Sequence, residues 1–316
     1  SMQSVYRRSR IFALNSRLNG ISSMVETDGS VQKLVDISIA RSKLLGEKIQ
    51  SVDSSVQNIH QTIAGRRRFY KYTDIKKEDG GYHILFDGRK LKTPARNALS
   101  LPSMELALAV AAEWDAQTDT RKGIEPITMP LMTLVSTCID QIQPNPNIII
   151  RNCMKYLPTD SALFFTSESD RLLLSKQKQY YSPIIRWANK NFQIKLEVTD
   201  GMVSRIEHSD ETIQKIASFL ENMDSYSLAA LQSVTYECKS LLIALAYISR
   251  YISLDQVIAA SRLEEEFQLE IWGVVEGGHD MDRLNNAVNL SSAGLMMSLL
   301  YDEETMKSKI INWRAN

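Results

Sequence analysis

The sequence predicts an α+β protein: an N-terminal domain with an antiparallel β-sheet and helices over residues 66–146, then an all-helical C-terminal domain over 147–316. Three observations predict it. Asp79-Gly80 and Asp87-Gly88 punctuate a strand-like stretch as tight hairpins, because glycine accepts the positive φ such turns need. Beyond Pro144 and Pro146, apolar residues recur at helical spacing almost to the C-terminus. Capping residues mark several of the expected helix ends.

In chain order, residues 1–25 carry Arg7, Arg8, Arg10 and Arg17, several serines and no acid, the composition of a mitochondrial transit peptide. The alternative is a disordered basic tail. Residues 26–65 are polar and lack Trp, Phe and Tyr, so they read as a linker or loose helix. A meander follows from Arg68 to Pro94, with Gly88 as a structural turn residue. Ser103 to Gln117 reads as an alanine-rich helix capped by Ser103, with Trp114 its one large side chain and a core residue. Pro130 opens a second helix, expected to run to Gln141. Further helices are expected over 147–157 and 171–192, the latter kinked or restarted at Pro183. Residues 195–207 are mixed and could add a short strand. The remaining helices are expected over 210–222, 228–250, 254–272 and 280–300. Ser253 and Gln256 form a capping box, and Gly273 closes the helix that follows.

Composition narrows the function classes. Lysine plus arginine (37) equals aspartate plus glutamate (37), so no overall basic field draws nucleic acid or an anionic membrane, and partners must be met by shape and local patches. Cys138, Cys153 and Cys238 are few, odd in number and widely spaced, which fits a reducing compartment rather than a disulfide framework or zinc site. The longest apolar run, Leu241 to Ile248, is too short to span a bilayer. The chain has no phosphate-binding glycine loop, no GxSxG, no HExxH and no paired CxxC, and no cofactor is expected.

The most informative segment is SRLEEEFQLEIWG, Ser261 to Gly273. Projected as one helix, it places Val257, Ala260, Leu263, Phe267 and Ile271 on one side. Ile258, Leu269 and Trp272 fall on the other, with Glu265 between them. A carboxylate among large apolar side chains is costly to dehydrate unless it is paired. Glu265 therefore meets a basic group inside the protein or awaits one on a partner. Glu264 and Glu266 flank it, and Arg262 is placed to make a weak exposed pair with Glu266. Trp272 is equally compatible with a core position and an exposed patch. An alternative reading makes Glu265, Glu276, His279, Asp280 and Asp282 the metal site of a hydrolase. Against it, glutamate runs on helices are most often solvated faces.

Several motifs occur in a specific order: RFYK (68–71), LFDGRKLKTP (85–94), AAEWDAQ (111–117), ITMPLMTL (127–134), YLPTDSALFF (156–165), SLAALQSVT (227–235) and the acidic helix. Together the series resembles the mitochondrial ATP synthase assembly factor 2 family over about residues 66–300. The resemblance implies a non-enzymatic chaperone of the mitochondrial matrix. It would be a monomer when free, bind the unassembled alpha subunit of the catalytic head, and shield the surface that later meets the beta subunit. It also implies that the middle carboxylate of the family's acidic motif falls on Glu265, and the tryptophan of its Glu-Trp motif on Trp114. Phe267 departs from the Tyr or Trp common there, and Gly277-Gly278 replaces a more polar or aromatic pair. Partner-binding residues are thus expected at Glu264, Glu265, Glu266, Ile258, Leu269 and Trp272. A static scaffold subunit of the final complex is the other non-enzymatic alternative.

Overall fold

Two Asp-Gly turns set the register of the sheet. Asp79 and Gly80 have φ of 49° and 79°, and Asp87 and Gly88 have 49° and 86°. Positive φ at both central residues is the hairpin turn that matches strand twist. The strands β1 (Thr73–Glu78), β2 (Gly81–Phe86) and β3 (Arg89–Lys90) pair antiparallel in that order, with Ile75 opposite Ile84 and Phe86 opposite Arg89. The computed structural model describes residues 64–117, 123–168, 170–200, 205–273 and 279–315. These belong to the unit Gln50–Asn316; the expected transit peptide, and residues 26–63 of the expected linker, lie outside the described residues.

The strand expected from Arg68 starts only at Thr73. Residues 68–72 are held by side chains instead. The Arg68 guanidinium donates to the carbonyls of Asp115 and Gln117 and to the Asp115 carboxylate, while Tyr70 stacks on Phe86 at 4.1 Å between ring centres.

Helix α1 (Met104–Asp115) covers the sheet. Ser103 caps it as expected, its hydroxyl accepting from the Leu106 N–H at 3.1 Å. α2 (Pro130–Thr137) runs on into a π-helical turn, Cys138–Ile142, and α3 (Pro146–Met154) follows. α4 (Arg171–Phe192) stays continuous through Pro183, contrary to the expected restart. Its packing against the next helices outweighs the lost backbone bond. Residues 195–207 contribute one isolated bridge, Thr199 to Phe164, and no strand among the described residues.

α5 (Asp210–Glu221) precedes α6 (Ser225–Cys238), a largely buried helix contacted by α2, α3 and the later helices. The single helix expected over 228–250 is in fact α6 and α7 (Leu241–Ile248), broken at Lys239 in the left-handed region. Ser240 makes that break, capping α7 by accepting from the Ile243 N–H. α8 (Leu254–Ser261) carries the expected Ser253–Gln256 capping box. α9 (Leu263–Trp272), α10 (His279–Leu300) and α11 (Glu303–Ala315) complete the chain; α11 has no counterpart in the sequence reading.

Candidate functional site

The acidic segment is two helices rather than one. At Arg262 the backbone takes φ −114° and ψ 11°, and the Ser261 hydroxyl donates to the Ile258 carbonyl at 3.0 Å. Serine hydroxyls that bond nearby carbonyls compete with the helical ladder, which accounts for a break here. The 100° projection therefore fails across the joint. Val257, Ala260, Leu263 and Phe267 are buried, but Ile271, projected onto the same side, is exposed. Ile258 and Leu269 are half-buried, and Ile258 packs on the core. Trp272 is 78% exposed, which places it in a surface patch. Gly273 ends α9 at φ 86°.

Arg262 is itself only 8% exposed, so the weak exposed pair expected with Glu266 is instead a pair anchored from beneath. Its Nη2 reaches Glu265 Oε1 at 2.6 Å, and its Nε reaches Glu266 Oε1 at 3.1 Å. Glu265 thus has a basic partner inside the protein, yet its side chain stays 40% exposed. Of the two outcomes the sequence posed, the internal basic partner is present, and part of the carboxylate remains open to solvent.

Glu266 is gripped from the other side as well. Arg283 on α10 donates through Nε to Oε1 at 2.7 Å and through Nη2 to Oε2. The Arg283 hydrogen bonds, ahead of those from Arg262, hold the Glu266 carboxyl below the usual range, against the cost of partial burial. Glu264 accepts from Gln177 Nε2 at 2.8 Å, and Glu270 from Lys176 at 2.6 and 2.8 Å. Lys176 also stands 5.6 Å over the Phe267 ring. The carboxylates that looked like a solvated run therefore fasten α9 to α4 and α10. Leu172, one turn before Lys176 on α4, is exposed, as are Ile271 and Trp272, which follow Glu270 on α9. Sequence periodicity did not single out Leu172, which lies on a different helix from Ile271 and Trp272.

A metal reading finds little to stand on here. Glu265 and Glu266 are engaged by guanidinium groups, and among the described residues no three His, Cys, Asp or Glu side chains converge. Glu276 lies outside the described residues. No helix among the described residues is long and apolar enough to cross a membrane.

The residues expected to be structural sit away from this helix. Trp114 is buried against Tyr70 and Phe86, and the Tyr70 hydroxyl donates to the Trp114 carbonyl at 2.5 Å. Beside it, Glu113 accepts from the Leu131 and Met132 N–H groups at 2.8 Å each, at the start of α2. Burial pushes this carboxyl up to about 8, with the two backbone bonds opposing. Asp160, in the YLPTDSALFF motif, is wholly buried and accepts from Ser240 Oγ, the Leu242 N–H and the Ala162 N–H. Burial raises it to about 6. Neither carboxylate was singled out in the sequence; the helix starts they serve were the available signal.

The comparisons with known proteins bear on this geometry. Residues 67–189 match the family model described as ATP12 chaperone protein. Protein atp12, mitochondrial, of Schizosaccharomyces pombe is 29% identical over 245 residues, covering 75% of this chain and 84% of that protein. Protein ATP12, mitochondrial, of Saccharomyces cerevisiae is 24% identical over 276 residues, covering 73% and 85%. The crystal structure of Atp12 from Paracoccus denitrificans aligns with a TM-score of 0.66 at 29% identity, covering 74% of this chain and 98% of that one. The proteins so matched form a chaperone family and not an enzyme family.

Proposed function

We propose that this chain, which belongs to the ATP12 chaperone family, is an ATP synthase assembly chaperone that binds the unassembled alpha subunit. It would shield the alpha subunit's interface until the beta subunit takes over that surface. The mitochondrial names of its relatives support a mitochondrial setting, and the matrix is the compartment where such a client is met. The free protein is read as a monomer.

The observation that carries this reading is Trp272, 78% exposed at the end of a helix that also presents Glu265. An exposed tryptophan is a typical anchor at the centre of protein interfaces, and a partly exposed carboxylate on the same helix can add a charge-assisted bond to it. A carboxylate accepts several hydrogen bonds at once, so a cation of the client can share Glu265 with Arg262 without dislodging it. Leu172, Ile271 and Leu269 would supply apolar contact around that bond. Arg262 and Arg283 hold the carboxylates in place beforehand, which lowers the ordering cost of binding.

The role requires contact that is firm yet replaceable. An interface of roughly standard size, on the order of 1,600 Å² in total, would give way to the larger native contact between subunits. The test is capture from a mitochondrial lysate, with identification of the bound subunit and sedimentation of the assembled synthase. The reading expects the alpha subunit in the capture and none of this chain in the mature complex. Co-sedimentation with the mature complex would make it a scaffold subunit instead.

A further inference from the structure

The charges of the chain balance overall but not locally. Gly65 and Arg66 exchange backbone bonds with Ile124 at 3.0 and 2.7 Å, which ties the start of the segment 66–72 to the body of the protein. Within that segment Arg68 is used internally, bonded to Asp115 and set over the Tyr70 ring at 4.6 Å. Its neighbours are not. Arg66, Arg67 and Lys71 are exposed, as is Arg89, which stands opposite Phe86 in the sheet. Among the described residues none of these four pairs with a carboxylate. Of the acids nearby, Asp115 pairs with Arg68, Asp87 accepts from the Lys71 and Tyr72 N–H groups, and Asp74 accepts from the Ile75 N–H.

Phe69 lies in the chain between Arg67 and Lys71 and is 62% exposed. Its ring meets Tyr70 and Phe86 edge-on at 5.3 and 5.8 Å, so it rises from a packed aromatic base that extends to Trp114. Single exposed apolar residues are ordinary. An exposed aromatic on a rigid base, flanked in the chain by exposed cations that pair with no carboxylate among the described residues, is less so. A lipid surface suits both features, since aromatic rings settle at the headgroup level and basic side chains meet anionic phosphates.

We infer that Phe69, with Arg66, Arg67, Lys71 and Arg89, forms a peripheral docking surface for an anionic phospholipid membrane. Phe69 enters the interfacial layer and the cations neutralise headgroup phosphates, with no helix of the described residues crossing the bilayer. This surface is separate from the acidic helix and does not depend on the client read there.

The experiment is co-sedimentation of the full chain with vesicles of phosphatidylcholine, with and without an anionic phospholipid. Binding is expected only to the anionic vesicles and should weaken as salt rises. Each cation near such a surface contributes about fivefold in affinity, so replacing Arg66, Arg67 and Lys71 together by Gln should cost on the order of a hundredfold. Phe69→Ala should cost roughly tenfold with the melting temperature kept, because the side chain is mostly in water. Equal binding to neutral vesicles, or an undiminished triple variant, would overturn the inference. So would capture of polyglutamate that is indifferent to Phe69→Ala, which would assign the patch to an acidic protein.

Discussion

Arg262 lies buried beneath the turn it precedes and reaches Glu265 across 2.6 Å. The same guanidinium touches Glu266, whose other contacts come from Arg283 on α10. Glu265 is thus positioned from below while its side chain faces outward.

From that arrangement, Arg262→Ala should destabilise the fold by about 2 kcal/mol. Breaking a buried pair costs more, but both glutamates are partly solvated and Glu266 keeps Arg283. Denaturant unfolding of Arg262→Ala, Glu265→Ala and the double variant should give a coupling of the same sign and order. Strict additivity would mean the pair contributes nothing.

Trp272→Ala should leave stability within about 0.5 kcal/mol, as surface substitutions usually do. If this tryptophan anchors the client, its loss costs about 2 kcal/mol of binding, some thirtyfold in Kd. Biolayer interferometry with purified alpha subunit would show it. An unchanged Kd would move the contact elsewhere on the molecule.

Trp114→Arg has the opposite profile. It inserts a charge into the cluster of Tyr70 and Phe86 and should cost about 4 kcal/mol or more, lowering the melting temperature steeply. Retained melting temperature with lost client binding would reassign Trp114 to the interface.

The buried Asp160 gives a pH signature. Its carboxyl titrates at about 6 in the folded protein against 3.8 ordinarily, so the folded state holds the proton more tightly. Stability therefore falls as pH rises from about 4 to 6, by about 3 kcal/mol from this group, and stays lowered above that window. Asp160→Asn cannot titrate, so its stability deficit relative to the wild type should shrink across the same range. Urea melts at pH 4.5 and 7 would reveal this; a deficit independent of pH would contradict it.

How much of this was legible depends on how local each cause is. The Asp-Gly turns, the Ser103 cap and the Ser253–Gln256 box could be read because every partner lies within four residues. The breaks at Lys239 and Arg262 were not. Ser240 sits just before an apolar run, yet what holds it includes Asp160, eighty residues away. Arg262 looked like a surface partner of Glu266 because its burial follows from tertiary packing that spacing does not encode. Glu265 was singled out because an acid within an apolar stripe is conspicuous. Leu172 was not, since α4 and α9 come together only through tertiary contacts such as Lys176 with Glu270.

The most direct measurement is calorimetric titration of purified alpha subunit with the wild type, Glu265→Gln and Glu265→Lys, each first checked by circular dichroism. Glu266 remains to hold Arg262, so both variants should stay folded. Losing a charge-assisted bond should weaken Glu265→Gln by about ten- to a hundredfold, and Glu265→Lys should show no binding heat. Folded variants that bind as the wild type does would contradict the account.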